Sequence, residues 1–289
     1  MKVSIRFYGD SLVRAAWDET SSRWLFSLVD VVGAINGVDD HEKNRNYYKY
    51  LKKKLRREDS QPVSATNRLK LEAPDGKHRF TDVADMDTIV AIASHFPGNR
   101  AIPFVAWLTG SEDSLDGRSK AKAYTLFDGN MLDSIETGTI RGLCQIHSYI
   151  FGGLYPFAGQ VRTVNIAKGG FRFAMARFLP ETLRHIERMP DDTFDAILDK
   201  YVEMNIAHPF REGNGRATRI WLDMMLRRAL GKCIDWSLVG KHAYLDAMRR
   251  SVADTTAIRQ LLADALTDKI VDREIFMKGI DYSYYYEEN

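Results

Sequence analysis

Residues His208 to Arg219 read HPFREGNGRATR, and this stretch decides the chain's second half. Upstream, Phe194, Ile197, Leu198, Tyr201, Val202 and Ile206 recur at helical spacing within Asp192 to Ile206. Downstream, Ile220, Trp221, Leu222, Met224, Met225, Leu226 and Leu230 predict a buried helix. The string is therefore expected to join two core helices and to open the second.

The residue types suit an anion. Gly213 and Gly215 permit turn conformations and close approach of a ligand. Their amides and that of Asn214 would meet at a helix N-terminus, where the dipole favours negative charge. Arg216 and Arg219, three apart, share a helix face and can fork onto phosphate oxygens. Glu212 is a candidate ligand for a magnesium ion that also binds phosphates. His208, whose ordinary pKa lies near neutrality, can accept a proton from a hydroxyl. Together these imply phosphoryl or nucleotidyl transfer to a hydroxyl.

The string resembles the Fic family motif HPFx[D/E]GNGRxxR at every specified position. The resemblance continues through IHSYIFGGLYPFAGQVRTVNIAKGGFRFA, Ile146 to Ala174, with its Ala-Gly-x-x-Arg turn and flap. Val161 to Ile166 and Phe171 to Phe173 predict two short strands around Lys168-Gly169-Gly170. The resemblance implies a flap of Val164, Asn165, Ile166, Lys168, Gly169 and Gly170 that docks a target segment by strand addition. It further implies AMP transfer from ATP, with Mg2+, to a Ser, Thr or Tyr hydroxyl of a protein. His208 would be the general base and Glu212 the metal ligand. Gly213, Asn214, Gly215, Arg216 and Arg219 would hold the phosphates, with Phe210 anchoring the loop. The alternative is a DNA-binding or nucleotide-sensing regulator with an idle Fic core.

The tail GIDYSYYYEEN matches the family's inhibitory pattern [S/T]xxxE[G/N] at Ser283 and Glu287. It departs at Glu288, where Gly or Asn is expected, so a register through Glu288 and Asn289 stays open. The resemblance implies that Glu287 pairs with the second motif arginine and displaces the γ-phosphate. An acidic, frayed tail is the plainer alternative. Tyr282, Tyr284, Tyr285 and Tyr286 are candidate self-modification sites.

The fold class expected is an α+β module over 1–112, followed over 113–289 by a mainly helical Fic domain with a β-hairpin flap and a C-terminal inhibitory helix. The join is expected within Thr109 to Ala121. Val3, Ile5 and Phe7 alternate like a strand, as does Trp24 to Phe26 before the apolar run Leu28 to Ile35. Asn67 to Phe80 carries an Asp75-Gly76 hairpin cue. Met86, Ile89, Val90, Ala93 and Phe96 are spaced for a helix. The phrases at Trp24 to Ile35, Tyr47 to Leu55 and Arg68 to Asp85 resemble the BRO-like N-terminal domain of phage antirepressors, which implies DNA or regulatory binding.

Lys43 to Arg57 holds eight basic residues, no acids and three tyrosines. It reads either as a DNA-contacting patch or as a solvated helix face whose stripe of Tyr47, Leu51 and Leu55 is core. Net charge is only +2: residues 1–112 hold 17 basic and 15 acidic groups, and the remainder 24 of each. This argues against strong nonspecific nucleic-acid affinity, and any DNA contact would have to be local.

Gly9-Asp10-Ser11-Leu12 spells an esterase motif without its companion blocks. Gly213-x-Gly215 follows a helix, so it is no dinucleotide fingerprint. The other six histidines lack metal-ligand spacing, and His147 is expected to make a structural hydrogen bond. Cys144 and Cys233, each in an apolar helical setting, form no CxxC pair, which fits a reducing, cytoplasmic setting. No signal peptide is recognised, and no apolar run nears 18 residues, so no membrane partner is expected. The family resemblance also implies self-association into a homo-oligomer.

Overall fold

The computed structural model describes residues 2–57, 66–73, 76–111, 113–128, 131–168 and 170–287. The chain divides into two compact units, Met1–Ser114 and Leu115–Asn289.

The first unit is built on one antiparallel sheet. β1 (Lys2–Tyr8), β2 (Ser11–Asp18) and β3 (Arg23–Ser27) follow in order. α1 (Leu28–Asn36), α2 (His41–Arg57) and the hairpin of β4 (Asn67–Glu72) and β5 (His78–Ala84) come next. The strand order is β1-β2-β3-β5-β4. Alternation along the strands sends Val13, Ala15 and Phe26 to the face covered by helices. Ala16, Leu25, Leu71 and Val83 form a small cluster of their own.

The apolar run Leu28 to Ile35 is α1, because the Ser27 side chain caps the Asp30 amide and Gly37 closes the other end at φ 64°. α3 (Met86–Ala93) starts at an Asp85 cap and α4 (Ala101–Ser111) ends the unit. The β4–β5 turn is closed by Ala73 and Gly76, with Gly76 at φ 74°. Asp75 of that cue lies outside the described residues. In α2, Leu51 and Leu55 are buried as the stripe requires, while Tyr48 is more buried than the expected Tyr47.

The second unit is mainly helical: α5 (Leu115–Asp128), α6 (Ile140–Phe151), a small hairpin of β6 (Ala167–Lys168) and β7 (Phe171–Arg172), α7 (Leu179–Arg188), α8 (Phe194–Ala207) and α9 (Asn214–Leu230). Then come β8 (Cys233–Ile234), α10 (Lys241–Arg250), α11 (Thr256–Asp264), β9 (Leu266–Thr267) and α12 (Arg273–Tyr285). α9 is the axis, packed by α6, α8 and α12. Its Ala217, Trp221, Met225 and Leu226 are fully buried.

Two expectations are corrected here. Val161 to Ile166 is not a strand, because Arg162 donates to the Val164 carbonyl and its own amide goes to Pro209, so no ladder forms there. Cys233 is in the short strand β8, not a helix. Among the described residues no helix is long and apolar enough to cross a membrane.

Candidate active site

The site forms where α8 ends and α9 begins. His208 closes α8 in the left-handed region, at φ 51° and ψ 64°. A non-glycine residue there is strained and must be held by its surroundings. Arg162 does the holding: buried to 3% exposure, it donates to the carbonyls of His208 (2.7 Å), Ala207 (3.0 Å), Val164 (2.7 Å) and Ala174 (2.6 Å). One planar guanidinium so ties the segment before the hairpin and the segment after it to the motif loop.

The His208 ring stacks on Phe173 at 3.7 Å, and its Nδ1 is 3.1 Å from the Asn205 carbonyl. A carbonyl only accepts, so Nδ1 carries the hydrogen and Nε2 presents its lone pair. Burial lowers the imidazole to a pKa of about 4, so it is neutral near pH 7.

The loop from Phe210 to Asn214 is closed from inside. The buried Asn214 side chain accepts from the Phe210 amide and donates to the Phe210 carbonyl, both at 2.7 Å. Phe210 is buried and stacks on His147 at 3.8 Å. His147 accepts at Nδ1 from the Gly159 amide and donates from Nε2 to the Glu212 carbonyl, each at 2.9 Å. This is the structural bond expected of it, and burial drops its pKa to about 4.

Gly213 caps α9 at φ 79°, and a side chain there would run into the Phe151 ring. Gly215 is not in the loop: it belongs to the first turn of α9. No side chain caps that turn, which leaves amides of the helix N-terminus for an anion.

The two motif arginines diverge. Arg216, 4% exposed, bonds Glu212 at 2.9 Å and also Asp116 from α5. Burial opposes its charge, but Asp116 first, with Tyr284, Glu287 and Glu212 after it, outweighs that and raises its pKa. Arg219, 3% exposed, donates through Nε to the Ser283 hydroxyl (2.8 Å) and through Nη2 to the Ser283 carbonyl (2.7 Å) and Glu287 Oε1 (2.6 Å). Tyr244 and Tyr286 flank the same guanidinium. The other Glu287 oxygen lies 3.4 Å from the Lys168 ammonium on β6. Burial alone would raise the Glu287 carboxyl, yet Arg219, with Lys168, takes it down to about 2. A methyl group on Gly215 would collide with Glu287, so the missing side chain there makes room for the carboxylate.

The tail is therefore a buried helix and not a frayed end. Asp281, fully buried, is bonded by Tyr124 and paired with Lys120, while Tyr284 donates to Ser119. Tyr284, Tyr285 and Tyr286 are all buried, which argues against them as self-modification sites in this conformation. Gly169, Glu288 and Asn289 lie outside the described residues. Val164, Asn165, Lys168 and Gly170 are exposed and Ile166 is half-buried beside the site.

Glu212 is half exposed and Asp116 more so. Among the described residues no three His, Cys, Asp or Glu side chains form a metal cluster. One or two carboxylates fit an ion such as Mg2+ that is held mostly by substrate phosphates.

Residues 138–226 match the model of the Fic/DOC family. A probable protein adenylyltransferase, y4lH of Sinorhizobium fredii, is 31% identical over 146 residues, covering 46% of this chain and 76% of that protein. The chain belongs to the Fic/DOC family. The protein adenylyltransferase VbhT of Bartonella schoenbuchensis is 30% identical over 143 residues, 45% of this chain and 30% of VbhT. The chain thus spans under a third of that relative's length. Among solved structures, the BepC protein of Bartonella tribocorum, a VirB-translocated effector with bound AMPPNP, aligns at TM-score 0.46 and 19% identity, over 54% of this chain and 87% of BepC.

The structure gathers the Fic-motif residues at the α8–α9 junction, and of their partners the sequence had pointed to Glu287 for Arg219. Arg162 stands in the Ala-Gly-x-x-Arg turn, a signal for a buried arginine, without a hint of its four carbonyls. Asp116 and Tyr244 carried no signal at all, and Tyr286 stood out only as part of the Tyr-rich tail.

Proposed function

We propose that the chain is a protein adenylyltransferase, moving AMP from ATP to a Ser, Thr or Tyr hydroxyl of a target protein, and that Glu287 holds it in check. The observation that carries this reading is His208, neutral and with Nε2 open, beside the uncapped N-terminus of α9 and its two arginines. The names of the relatives, protein adenylyltransferases, support the same reaction.

In the reaction the target oxygen attacks the α-phosphorus, its proton passes to His208 Nε2, and the bond to the bridging oxygen of pyrophosphate breaks. The amides at the start of α9 and the guanidinium of Arg216 stabilise the charge that develops on the phosphates. Arg219 would bind the γ-phosphate once Glu287 leaves it. Glu212 would hold Mg2+, which supplies charge neutralisation on the triphosphate. The segment Val164 to Ile166, with Lys168, Gly169 and Gly170, would dock the target's backbone. Arg162 positions His208 and that segment together.

Inhibition follows from competition: a carboxylate and a γ-phosphate want the same guanidinium, and only one fits beside Gly215. Ser283 helps by orienting Arg219 toward Glu287.

The test is label transfer from α-³²P-ATP with Mg2+, using wild type, Glu287→Gly and His208→Ala. Strong labelling in Glu287→Gly, weak in wild type and none in His208→Ala is expected. No label with any of the three would favour the nucleotide-sensing regulator. Equal label in wild type and Glu287→Gly would remove the inhibitory role of the tail.

For the first unit, the BRO-like likeness and the basic residues of Lys43 to Arg57 support contact with DNA. A gel shift at low salt, weakened in Lys53→Ala and Arg57→Ala, tests it; no shift at low salt ends that reading.

A further inference from the structure

The eight cations of Lys43 to Arg57 do not form one surface. Arg45, Lys49 and Lys52, with His41 and Tyr48, line a cleft whose other wall is the β4–β5 hairpin, while Lys43, Lys53, Lys54, Arg56 and Arg57 do not line it. The cleft has a volume of about 450 Å³ and takes Arg68, Arg79 and Phe80 from the hairpin and Arg14 from β2.

Its walls are pinned. Arg14 forks onto Asp30 at 2.7 and 2.8 Å and donates to the Glu72 carbonyl at 2.6 Å. Tyr48 and Lys52 both reach Asp82 on β5, at 3.0 and 2.5 Å. Those bonds tie α2 to the hairpin and fix the opening between them. Asp82 is the one carboxylate among the described lining residues, against six cations. Asp30 offsets Arg14, Asp82 is shared by Lys52 and Arg68, and with Arg45 and Lys49 the described lining residues still carry more cations than carboxylates. Like charges around one concavity repel, and low-dielectric walls focus their field, unless an anion enters.

We infer that this cleft binds a nucleotide, a small phosphate ester carrying a flat base. The volume falls in the roughly 300–1,000 Å³ range of small-ligand sites. Phe80, 61% exposed, adds an apolar ring at the mouth, with Arg68 at 5.5 Å and Lys70 at 5.3 Å over it. An exposed phenyl ring beside guanidinium groups suits base stacking and phosphate binding side by side. Duplex DNA is convex and is read by elements that protrude into its grooves, whereas here the cations line a recess. The inference is independent of the adenylyltransferase reading and of DNA contact by the outer cations of α2.

Hydrogen exchange of the full chain tests it, read separately over 41–57, 67–84 and 208–219, with ADP, pyrophosphate or a 20-base-pair duplex as probe. ADP at ten times its Kd is expected to slow exchange in 41–57 and 67–84 about tenfold by mass action. Pyrophosphate at the same concentration is expected to do less. The double variant Arg45→Glu, Lys49→Glu should lose this protection and keep that over 208–219. Arg45→Lys with Lys49→Arg should keep both, and unchanged exchange over 28–36 certifies the fold of each variant. Protection by ADP confined to 208–219 overturns the inference. So does protection of 41–57 and 67–84 by the duplex alone, or protection by pyrophosphate equal to that by ADP.

Discussion

Glu287 is shared between two cations from opposite sides of the site: Arg219 of α9 holds Oε1 at 2.6 Å, and Lys168 of the hairpin faces Oε2 at 3.4 Å. The first partner is buried and the second is 63% exposed, so they contribute unequally. Lys168→Ala is expected to raise basal AMP transfer only about two- to fivefold, the scale of an exposed ion pair. Glu287→Gly should exceed that by tenfold or more. Initial rates of label transfer on the three proteins check this ranking, and a Lys168→Ala rate equal to that of Glu287→Gly would refute it.

Arg162 satisfies four backbone carbonyls at once. Lysine has three donors and no fork, so Arg162→Lys leaves at least one buried carbonyl unmet, at a cost of about 1–3 kcal/mol. The second unit should lose several degrees in Tm, and its kcat should fall because His208 is no longer held. His208→Ala, by contrast, should abolish transfer with little thermal loss. Calorimetry and label transfer on the two variants separate positioning from chemistry.

Asp116 bonds Arg216 while being 59% exposed itself. It competes with phosphate for that guanidinium more weakly than Glu287 does for Arg219. Asp116→Asn in the Glu287→Gly background is expected to lower the KM for ATP by less than about tenfold and to leave kcat near its starting value. Steady-state titration of ATP measures both, and a large fall in kcat would instead make Asp116 part of the reacting site.

The pH profile follows from two groups. His208 must be neutral to accept a proton, and burial puts its pKa at about 4. Transfer by Glu287→Gly should therefore stay level from pH 8 down to about 5.5, below the ordinary imidazole value of about 6.5. Glu287 works in the opposite sense. Its folded pKa of about 2 lies below the unfolded value, so its contribution to docking is complete above about 4.5 and is lost as pH falls toward 2. Wild type should stay restrained across the whole neutral range. A sharp rise in wild-type transfer between pH 7 and 6 would contradict this.

The sequence made the Fic string, the β4–β5 hairpin and the helical spacing of α3 legible, because each rests on local chemistry: glycine freedom, a turn cue, an apolar recurrence. β2 was missed, since apolar Leu12 and Ala16 share the parity of Arg14 and blur its alternation, and Arg14 turns out to be neutralised by Asp30, sixteen residues away. The strand expected over Val161 to Ile166 failed for a like reason. A buried arginine takes carbonyls that a ladder would need, and no window of sequence reveals where its fork points. The Arg216–Asp116 pair spans a hundred residues, and the packing of α5 against α12 and α6 brings that end of α5 to the site.

The anchoring of α12 has a thermal consequence. Asp281 and Tyr284 lock the body of the helix to α5, and the Tyr286 hydroxyl donates to the Trp236 and Val239 carbonyls at 3.2 and 2.6 Å. Everything up to Tyr286 is fastened, so Glu287 can leave Arg219 by rotating its own side chain while the helix stays docked. Such a step exposes little apolar surface and carries almost no heat-capacity change. The ratio of Glu287→Gly to wild-type rates should then drift gently with temperature, without the steep collapse that helix melting would bring. Warmth alone would be a poor trigger for this protein.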